Sequence, residues 1–194
     1  MLALAEALRA ASTDSTLPAS LWSHQALRLL AAICLQESGG QNVPQRLADG
    51  TEGLAAGFPQ MQANGIEDVL ANPASAALAA QCVARARILG ELSAKYRPTT
   101  RGYPLGATHP VAVLVRANFL NFPTLQLQLA RLMLWDNPHP LPALDDPNGN
   151  WEYYLETWRP GKPSRARWDK FSWLQACAIV PTLAPPTQPQ APTE

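Results

Sequence analysis

The residues with the clearest chemical potential lie at the end of the second predicted helix, in the run Leu35-Gln-Glu-Ser-Gly-Gly40. Apolar side chains recur at helical spacing from Trp22 to Ile33, and Glu37 follows Ile33 by four residues on the same face. A carboxyl group at that position is expected to be partly buried, and it lies at the negative end of the helix dipole. Both conditions disfavour the charged form, so the pattern predicts a raised pKa for Glu37.

A carboxylic acid that keeps its proton near neutral pH can protonate a leaving oxygen, which is the step that glycoside cleavage requires. Ser38 could hydrogen-bond this carboxyl group or a substrate. The alternative is that Glu37 simply ends a helix and pairs with an arginine such as Arg46. Spacing alone leaves these two interpretations open.

Three further motifs follow Glu37-Ser38 along the chain. They are Gly57-Phe-Pro-Gln-Met-Gln62, the Asn-Pro turn of Leu70-Ala-Asn-Pro73 with the helix after it, and Ala117-Asn-Phe-Leu-Asn121. This ordered series resembles that of the goose-type lysozyme and soluble lytic transglycosylase superfamily. The likeness covers roughly residues 21–122, and it depends on the series of motifs rather than on the Glu-Ser pair alone.

The resemblance implies an activity and a set of site residues. In the superfamily the Glu of the Glu-Ser pair is the general acid for cleavage of the β-1,4 bond between N-acetylmuramic acid and N-acetylglucosamine in peptidoglycan. Glu37 would take that role here. The family's Gly-Leu-Met-Gln stretch forms the floor of the sugar cleft, so Ser38, Gln60 and Gln62 are expected to contact the substrate.

The third motif departs from the family pattern. The family has Ala-Tyr-Asn-Ala-Gly at a helix end, whereas here Phe119 replaces the tyrosine and no glycine follows. Asn118 and Asn121 are the polar side chains of this segment, and the resemblance makes them candidates for sugar contacts.

A second carboxylate would decide the reaction's outcome. In the family, lytic transglycosylases use one Glu with assistance from the substrate's N-acetyl group, and they leave a 1,6-anhydro product. Goose-type hydrolases add acidic residues from the loop after the Glu, and an inverting geometry places the second carboxyl roughly 6.5–9.5 Å from the first. The loop here offers Asp49 and Glu52. Asp49 precedes Gly50 and suits a turn, so we prefer Glu52 as the catalytic partner and keep Asp49 as a substrate-contact candidate.

Composition argues against several other functions for this chain. The chain has 194 residues with 15 basic and 15 acidic side chains, so the charge excess of a nucleic-acid-binding protein is missing. Three widely spaced cysteines give neither a disulfide framework nor a metal-binding knuckle. The three histidines are isolated. We therefore expect no metal, no cofactor and no nucleic-acid partner.

Helical periodicity and the proline and glycine positions predict a mainly α fold, lysozyme-like, with a loop or small β-hairpin inserted at Asp49-Gly50. Helices are predicted over 2–11, 21–38, 65–70, 73–96, 111–122, 124–135, 151–158 and 164–179, with loops at 97–110 and 137–150. The division predicted is an N-terminal helix and turn (1–20), a lysozyme-like catalytic core (21–135), an aromatic C-terminal extension packed on the core (136–180) and a disordered Pro-rich tail (181–194).

Five of the six tryptophans lie in the C-terminal third, at positions 135, 151, 158, 168 and 173. Aromatic faces can stack on sugar rings, but Trp151, Tyr154 and Trp158 recur at helical spacing and are expected to dock their helix onto the core. Tyr153 lies on another side of that helix and is the candidate for substrate contact. Lys162 and Arg165 could contact peptidoglycan carboxylates, although solvated charge is the ordinary explanation.

The N-terminal residues bear on localisation. Glu6 and Arg9 interrupt the region where a secretory signal would be apolar, and no stretch approaches the roughly 20 apolar residues that span a bilayer. We expect synthesis in the cytoplasm without a Sec signal, no stable membrane insertion, and action on the periplasmic cell wall. Those expectations fit a phage endolysin released by a holin, a virion-associated enzyme or a secreted effector. The alternative is a non-catalytic, glycan-binding structural component of a phage tail or secretion apparatus.

Overall fold

A computed structural model describes residues 2–86 and 110–183. Its elements are α1 (Leu2–Thr13), α2 (His24–Ser38), β1 (Pro44–Arg46), β2 (Glu52–Ala56), α3 (Ala63–Ala71), α4 (Ala76–Arg85), α5 (Pro110–Asn118), α6 (Pro123–Trp135), α7 (Pro147–Trp158), α8 (Arg165–Arg167) and α9 (Trp173–Ile179). A π-helical turn, Trp168–Ser172, joins α8 to α9, and 3₁₀ turns lie at Ala19–Leu21, Phe119–Asn121 and Val180–Thr182. The predicted mainly α class with a small hairpin is confirmed.

Several predicted segments fall outside the described residues. They are the loop 97–110 up to residue 109, the end of the helix predicted to reach Tyr96, and residues 184–194 of the predicted disordered tail. At the start of the predicted tail, Val180–Thr182 forms a 3₁₀ turn and Leu183 is buried in the core. Within residues 2–86 and 110–183, no helix is both long and apolar enough to cross a bilayer.

The central helix, α2, positions Glu37. It begins at His24 rather than at Leu21, because the Ser23 side chain accepts a 3.2 Å hydrogen bond from the backbone N–H of Ala26 and caps the helix. The residues from Ala26 to Leu35 are buried except Arg28, so the helix is covered on most sides. It ends at Gly39, whose φ of 69° lies in the left-handed region that glycine adopts without strain.

Local caps explain the other shifted boundaries. The helix predicted from Pro73 begins at Ala76, because the side chain of Asn72 accepts a 2.9 Å bond from the N–H of Ala74 and holds a turn. The loop predicted over 137–150 ends before residue 147, where α7 begins. The side chain of Asp146 accepts from the N–H of Gly149 at 2.8 Å and starts α7 at Pro147.

The two-stranded sheet is the predicted hairpin. β1 and β2 pair antiparallel, with Pro44 opposite Ala56 and Arg46 opposite Glu52. The register of the pairing shifts between Pro44 and Arg46 of β1. The turn lies at Asp49-Gly50, where the φ of Gly50 is 82°. The hairpin follows α2 directly and therefore lies next to the helix end that carries Glu37.

One hydrophobic core joins all parts of the described chain, including residues 136–183. Its C-terminal part is an aromatic stack against α2. The Tyr154 and Trp168 rings are 5.2 Å apart and nearly parallel, Trp168 stacks on Trp173 at 5.8 Å, and Trp151 meets Trp168 edge-on at 5.5 Å. The predicted docking of Trp151 and Tyr154 agrees with this packing, and the surplus of tryptophan is largely a core feature.

We expect Trp168→Ala to destabilise the fold strongly, because Trp168 is fully buried at the centre of the aromatic stack. Truncating a buried tryptophan lowers the free energy of unfolding by roughly 3–5 kcal/mol. Urea denaturation followed by circular dichroism measures the loss. The matched control is Phe171→Ala in the same π-helical turn, whose ring is 36% exposed. Equal losses in the two variants would contradict the central role of Trp168.

Candidate active site

An open cleft of about 1370 Å³ runs past the C-terminal end of α2. Its walls come from the end of α2, the hairpin, the turn that leads into α3, α3 itself, the end of α6 and the end of α7. Of the predicted site residues, the cleft wall contains Glu37, Ser38, Gln60 and Gln62. These residues come from two sequence segments that the resemblance grouped together.

Glu37 is half-buried in this wall. The hydroxyl of Tyr154 donates a 2.5 Å hydrogen bond to Glu37 Oε1. Burial raises the pKa of Glu37, while the Tyr154 hydrogen bond and the positive charge of Arg167 partly oppose that rise. The direction agrees with the sequence-based expectation, but the leading cause is desolvation.

The arginine near Glu37 is not the one that the sequence suggested. Arg46 lies 3.8 Å from Glu52 and pairs with it at the exposed hairpin. Arg167 instead approaches the end of α2, where its Nη2 donates to the carbonyl of Leu35 at 2.9 Å. Glu37 therefore experiences the attraction of a guanidinium group while its carboxyl is held by a neutral hydroxyl.

Tyr154 is a residue of the candidate site that sequence reasoning missed. Its side chain is 1% exposed and stacks on Trp168, so the ring cannot swing away from Glu37. Burial and the neighbouring carboxyl raise the pKa of the Tyr154 hydroxyl, which keeps it a neutral donor. Helical spacing predicted the docking of the ring, but a spacing pattern contains no information about which distant group the hydroxyl meets.

Ser38 has a structural role at the site. Its Oγ lies 2.9 Å from the carbonyl of Cys34 and 2.8 Å from the carbonyl of Phe58, and it accepts from the N–H of Gln41 at 3.1 Å. The hydroxyl proton is thus directed at backbone carbonyls rather than at the Glu37 carboxyl. Through these bonds Ser38 ties the end of α2 to the turn that precedes α3.

That turn is held by a buried amide. Gln126 is fully buried, and its Oε1 accepts from the N–H of Phe58 at 2.9 Å. Its Nε2 donates to Asn42 Oδ1 at 2.8 Å and to the carbonyl of Phe119 at 2.6 Å. A Cβ atom on Gly57, whose φ is 80°, would lie 2.5 Å from Gln126 Oε1, so this close approach requires glycine.

Gln60 follows in the same turn with a φ of 51°, an uncommon conformation for a residue with a side chain. Its Nε2 donates to the carbonyls of Val43 and Gly57 at 2.9 and 2.8 Å, so the amide nitrogen is engaged by the scaffold. The Trp158 Nε1–H donates to the carbonyl of Pro59 at 3.0 Å and connects the turn to the end of α7. Gln60 is therefore fixed in the cleft wall, and Gln62 beside it is exposed.

The two hairpin carboxylates lie elsewhere. The Glu52 side chain is 61% exposed and is not part of the cleft wall. Asp49 Oδ1 accepts from the backbone N–H and the hydroxyl of Thr51 at 2.9 and 2.6 Å, and these bonds lower the pKa of Asp49. This is the turn geometry that an Asp-Gly pair favours. The carboxyl groups that do line the cleft beside Glu37 are Asp68, Asp136 and Glu156.

The remaining three predicted residues are not brought to the cleft. Asn118 Nδ2 donates to the carbonyl of Leu114 within its own helix at 3.0 Å. Asn121 borders a separate, smaller depression of about 300 Å³. Tyr153 is buried, and its hydroxyl donates to the carbonyl of Leu134 at 2.7 Å. This placement gives these three residues structural surroundings and gives the predicted sugar contacts no support.

Arg159, which the sequence reasoning also missed, lies on the cleft wall at the C-terminal end of α7. Its φ of 47° and ψ of 52° are left-handed, a conformation that costs a non-glycine residue roughly 1 kcal/mol. Among the described residues, the only other non-glycine position with positive φ is Gln60. Both strained positions therefore face the same cleft as Glu37.

Comparisons with known proteins add no relative. The chain matches no protein-family model, no curated protein and no solved structure. As for metals, no group of three or more His, Cys, Asp or Glu side chains in residues 2–86 and 110–183 could hold an ion.

Replacing Tyr154 by phenylalanine should raise the pKa of Glu37, because the hydroxyl stabilises the carboxylate form. In the wild type, the carboxyl of Glu37 should titrate above the ordinary value of 4.5, and in Tyr154→Phe at a higher pH still. Carboxyl-carbon NMR titration, with Glu37→Gln to assign the signal, measures both values. The control is Tyr153→Phe, which removes the adjacent hydroxyl that bonds Leu134. An unchanged or lower Glu37 midpoint in Tyr154→Phe would refute the assignment.

Proposed function

We propose that this protein cleaves the β-1,4 glycosidic bond between N-acetylmuramic acid and N-acetylglucosamine in peptidoglycan, with Glu37 as the general acid. The observation that carries the proposal is a carboxyl group with a raised pKa, fixed by Tyr154 in the wall of a large open cleft. A raised pKa increases the fraction of Glu37 that carries a proton at a given pH, and an open cleft admits a polymer chain.

The contacts of Glu37 suit both halves of a proton transfer. Burial favours the protonated acid before the reaction, with the proton on the oxygen that does not accept from Tyr154. Once the proton has moved to the glycosidic oxygen, the Tyr154 hydroxyl and the positive charge of Arg167 stabilise the carboxylate that remains. Interactions that strengthen as charge develops lower the barrier rather than merely binding the substrate.

The order of elements supports a lysozyme-like fold as part of the same proposal. A buried helix ends at Glu37-Ser38, a hairpin follows, a glycine-containing turn forms the cleft wall, and further helices close the core. This is the order that the resemblance to goose-type lysozymes and lytic transglycosylases implies. Ser38 and Gln126 hydrogen-bond to Phe58 and hold the turn against the end of α2. The Glu-Ser pair and the Gly-x-x-Gln element are therefore in direct contact.

The identity of the products depends on a second carboxylate. Glu52 lies outside the cleft wall, so a water-positioning carboxylate would have to be Asp68, Asp136 or Glu156. Without such a group the substrate's own N-acetyl group would assist, and the product would carry a 1,6-anhydro end. Mass spectrometry of the released fragments separates the two outcomes, because hydrolysis leaves reducing ends.

The cellular role belongs to the same proposal. An enzyme of this kind, made in the cytoplasm, would act on the periplasmic cell wall as a holin-released phage endolysin, a virion-associated enzyme or a secreted effector. The second candidate is a glycan-binding structural component of a phage tail or secretion apparatus. The cleft would suit both candidates, and the raised pKa of Glu37 together with its hydrogen bond from Tyr154 favours the enzyme.

Glu37→Gln should abolish the loss of turbidity of purified peptidoglycan. Removing a general acid lowers the rate by about 10²–10⁴-fold. Glutamine can still accept the hydrogen bond from Tyr154, so the fold is expected to be preserved. The matched control is Glu6→Gln, at an exposed position of α1 remote from the cleft. Wild-type protein that releases no more fragments than Glu37→Gln would support the non-catalytic alternative.

Glu52→Gln tests the hairpin carboxylate. Because the Glu52 side chain is exposed and its ion pair is with Arg46 on the same hairpin, we expect this variant to digest peptidoglycan close to the wild-type rate. Fragment release is measured under the same conditions as for Glu37→Gln. A loss comparable to that of Glu37→Gln would show that the hairpin supplies the second carboxylate after all.

A further inference from the structure

Arg159 is held in its strained position by the packing of the residue before it. The Nε1–H of Trp158 donates to the Pro59 carbonyl at 3.0 Å and ties the end of α7 to the turn before α3. Pro160, immediately after Arg159, favours an extended conformation for the preceding residue and so adds to the cost of the left-handed backbone. The N–H of Arg159 still donates to the carbonyl of Leu155 at 3.1 Å, so the residue closes the last turn of α7. Its place on the cleft wall is therefore fixed.

The guanidinium group of Arg159 has no partner within the described residues, which distinguishes it from the other two arginines of the cleft. Arg46 is paired with Glu52 at 3.8 Å, and Arg167 donates to the carbonyl of Leu35 and lies near Glu37. The acidic side chain of Glu156, three residues earlier on α7, lies 3.6 Å from His139 and forms no ion pair with Arg159. Arg159 therefore offers an unpaired guanidinium group to whatever occupies the cleft.

An arginine at this backbone position has no structural advantage. Helices commonly end with glycine in the left-handed conformation, because glycine adopts it without steric cost. Arg159 carries the strain, and within the described residues its side chain forms no hydrogen bond or ion pair that offsets it. Strain concentrated at a cleft is a reason to look for a ligand contact.

We propose that Arg159 binds a carboxylate of the glycan and so selects carboxylate-bearing strands over neutral ones. The planar guanidinium group matches a carboxylate with two parallel hydrogen bonds. This inference rests on the proposed function, and it adds that the cleft recognises a carboxylate on the substrate. The carboxylate can belong to the lactyl ether of muramic acid or to the attached peptide.

The other cations that the sequence suggested are less suited to this role. Arg165 is engaged by Asp169 at 2.8 Å and by Asn148 at 2.5 Å. Lys162 is exposed in the turn after α7, but it is not part of the cleft wall. Lys162 therefore serves as a control for a charge that lies in the same turn without facing the cleft.

The test compares wild type, Arg159→Gly, Arg159→Lys and Lys162→Gln on three substrates. These are intact peptidoglycan fragments, peptide-free glycan strands that keep the lactyl carboxylate, and a neutral oligomer of β-1,4-linked N-acetylglucosamine. The quantity compared is the specificity ratio, which is kcat/KM for the carboxylate-bearing strands divided by kcat/KM for the neutral oligomer. Arg159→Gly should lower this ratio by about tenfold, mainly by raising KM for the carboxylate-bearing strands. Arg159→Lys should recover part of the ratio, and Lys162→Gln should keep it.

The substrate arms identify the source of the carboxylate. A loss of the ratio on peptide-free strands assigns Arg159 to the lactyl group, and a loss confined to intact fragments assigns it to the peptide. A ratio that stays at the wild-type value in Arg159→Gly overturns the inference. Glycine also relieves the strain, so the Tm of Arg159→Gly should equal or exceed that of the wild type, and a lower affinity cannot then be attributed to unfolding.

Binding separates this inference from the proposed function. Calorimetric titration of the wild-type chain and Arg159→Gly with peptide-free strands and with the neutral oligomer requires no turnover. If no substrate is cleaved, the proposed enzymatic function fails. The assignment of Arg159 is still supported in that case if the wild type binds the carboxylate-bearing strands more tightly than the neutral oligomer and Arg159→Gly loses this preference. If cleavage occurs and both proteins bind the two glycans with the same preference, only the assignment of Arg159 fails.

Discussion

The hydrogen bond from the Tyr154 hydroxyl to Glu37 is the constraint on which the site depends. It joins two helices whose residues are 117 positions apart, and it gives a half-buried carboxyl group a donor that the end of α2 cannot supply. To bring the hydroxyl there, α7 must pack against α2, and the Trp168 stack fixes that packing. The C-terminal third consequently supplies a residue of the site, Tyr154, and the packing that fixes it.

The surroundings of Glu37 pull its pKa in opposite directions, and this opposition suits a general acid. Burial alone would hold the proton and resist its release, whereas a fully solvated carboxyl would have lost it before the reaction. The Tyr154 hydroxyl and the Arg167 charge reduce the cost of the carboxylate without removing the effect of burial. The pKa of Glu37 is therefore raised, while its carboxylate form keeps two stabilising partners, as the proposed general acid requires.

Features set by neighbours along the chain could be predicted from the sequence, and features set by distant contacts could not. The periodicity of α2 placed Glu37 on a partly buried face, and Asp49-Gly50 marked the hairpin, because both signals are local. The pairing of Tyr154 with Glu37 arises only when α7 docks on α2. For the same reason the sequence ranked Tyr153 above Tyr154, although packing turns Tyr153 into the core.

Two strained positions lie on the cleft wall, Gln60 in the turn before α3 and Arg159 at the end of α7. Trp158 bonds to Pro59, so the chain neighbours of the two strained residues tie these segments together. Strain of this kind persists only where the surrounding structure over-determines the backbone. Because Tyr154 and Arg159 lie five residues apart at the end of α7, the docking of that single helix both orients the Glu37 carboxyl and places the Arg159 charge on the cleft wall.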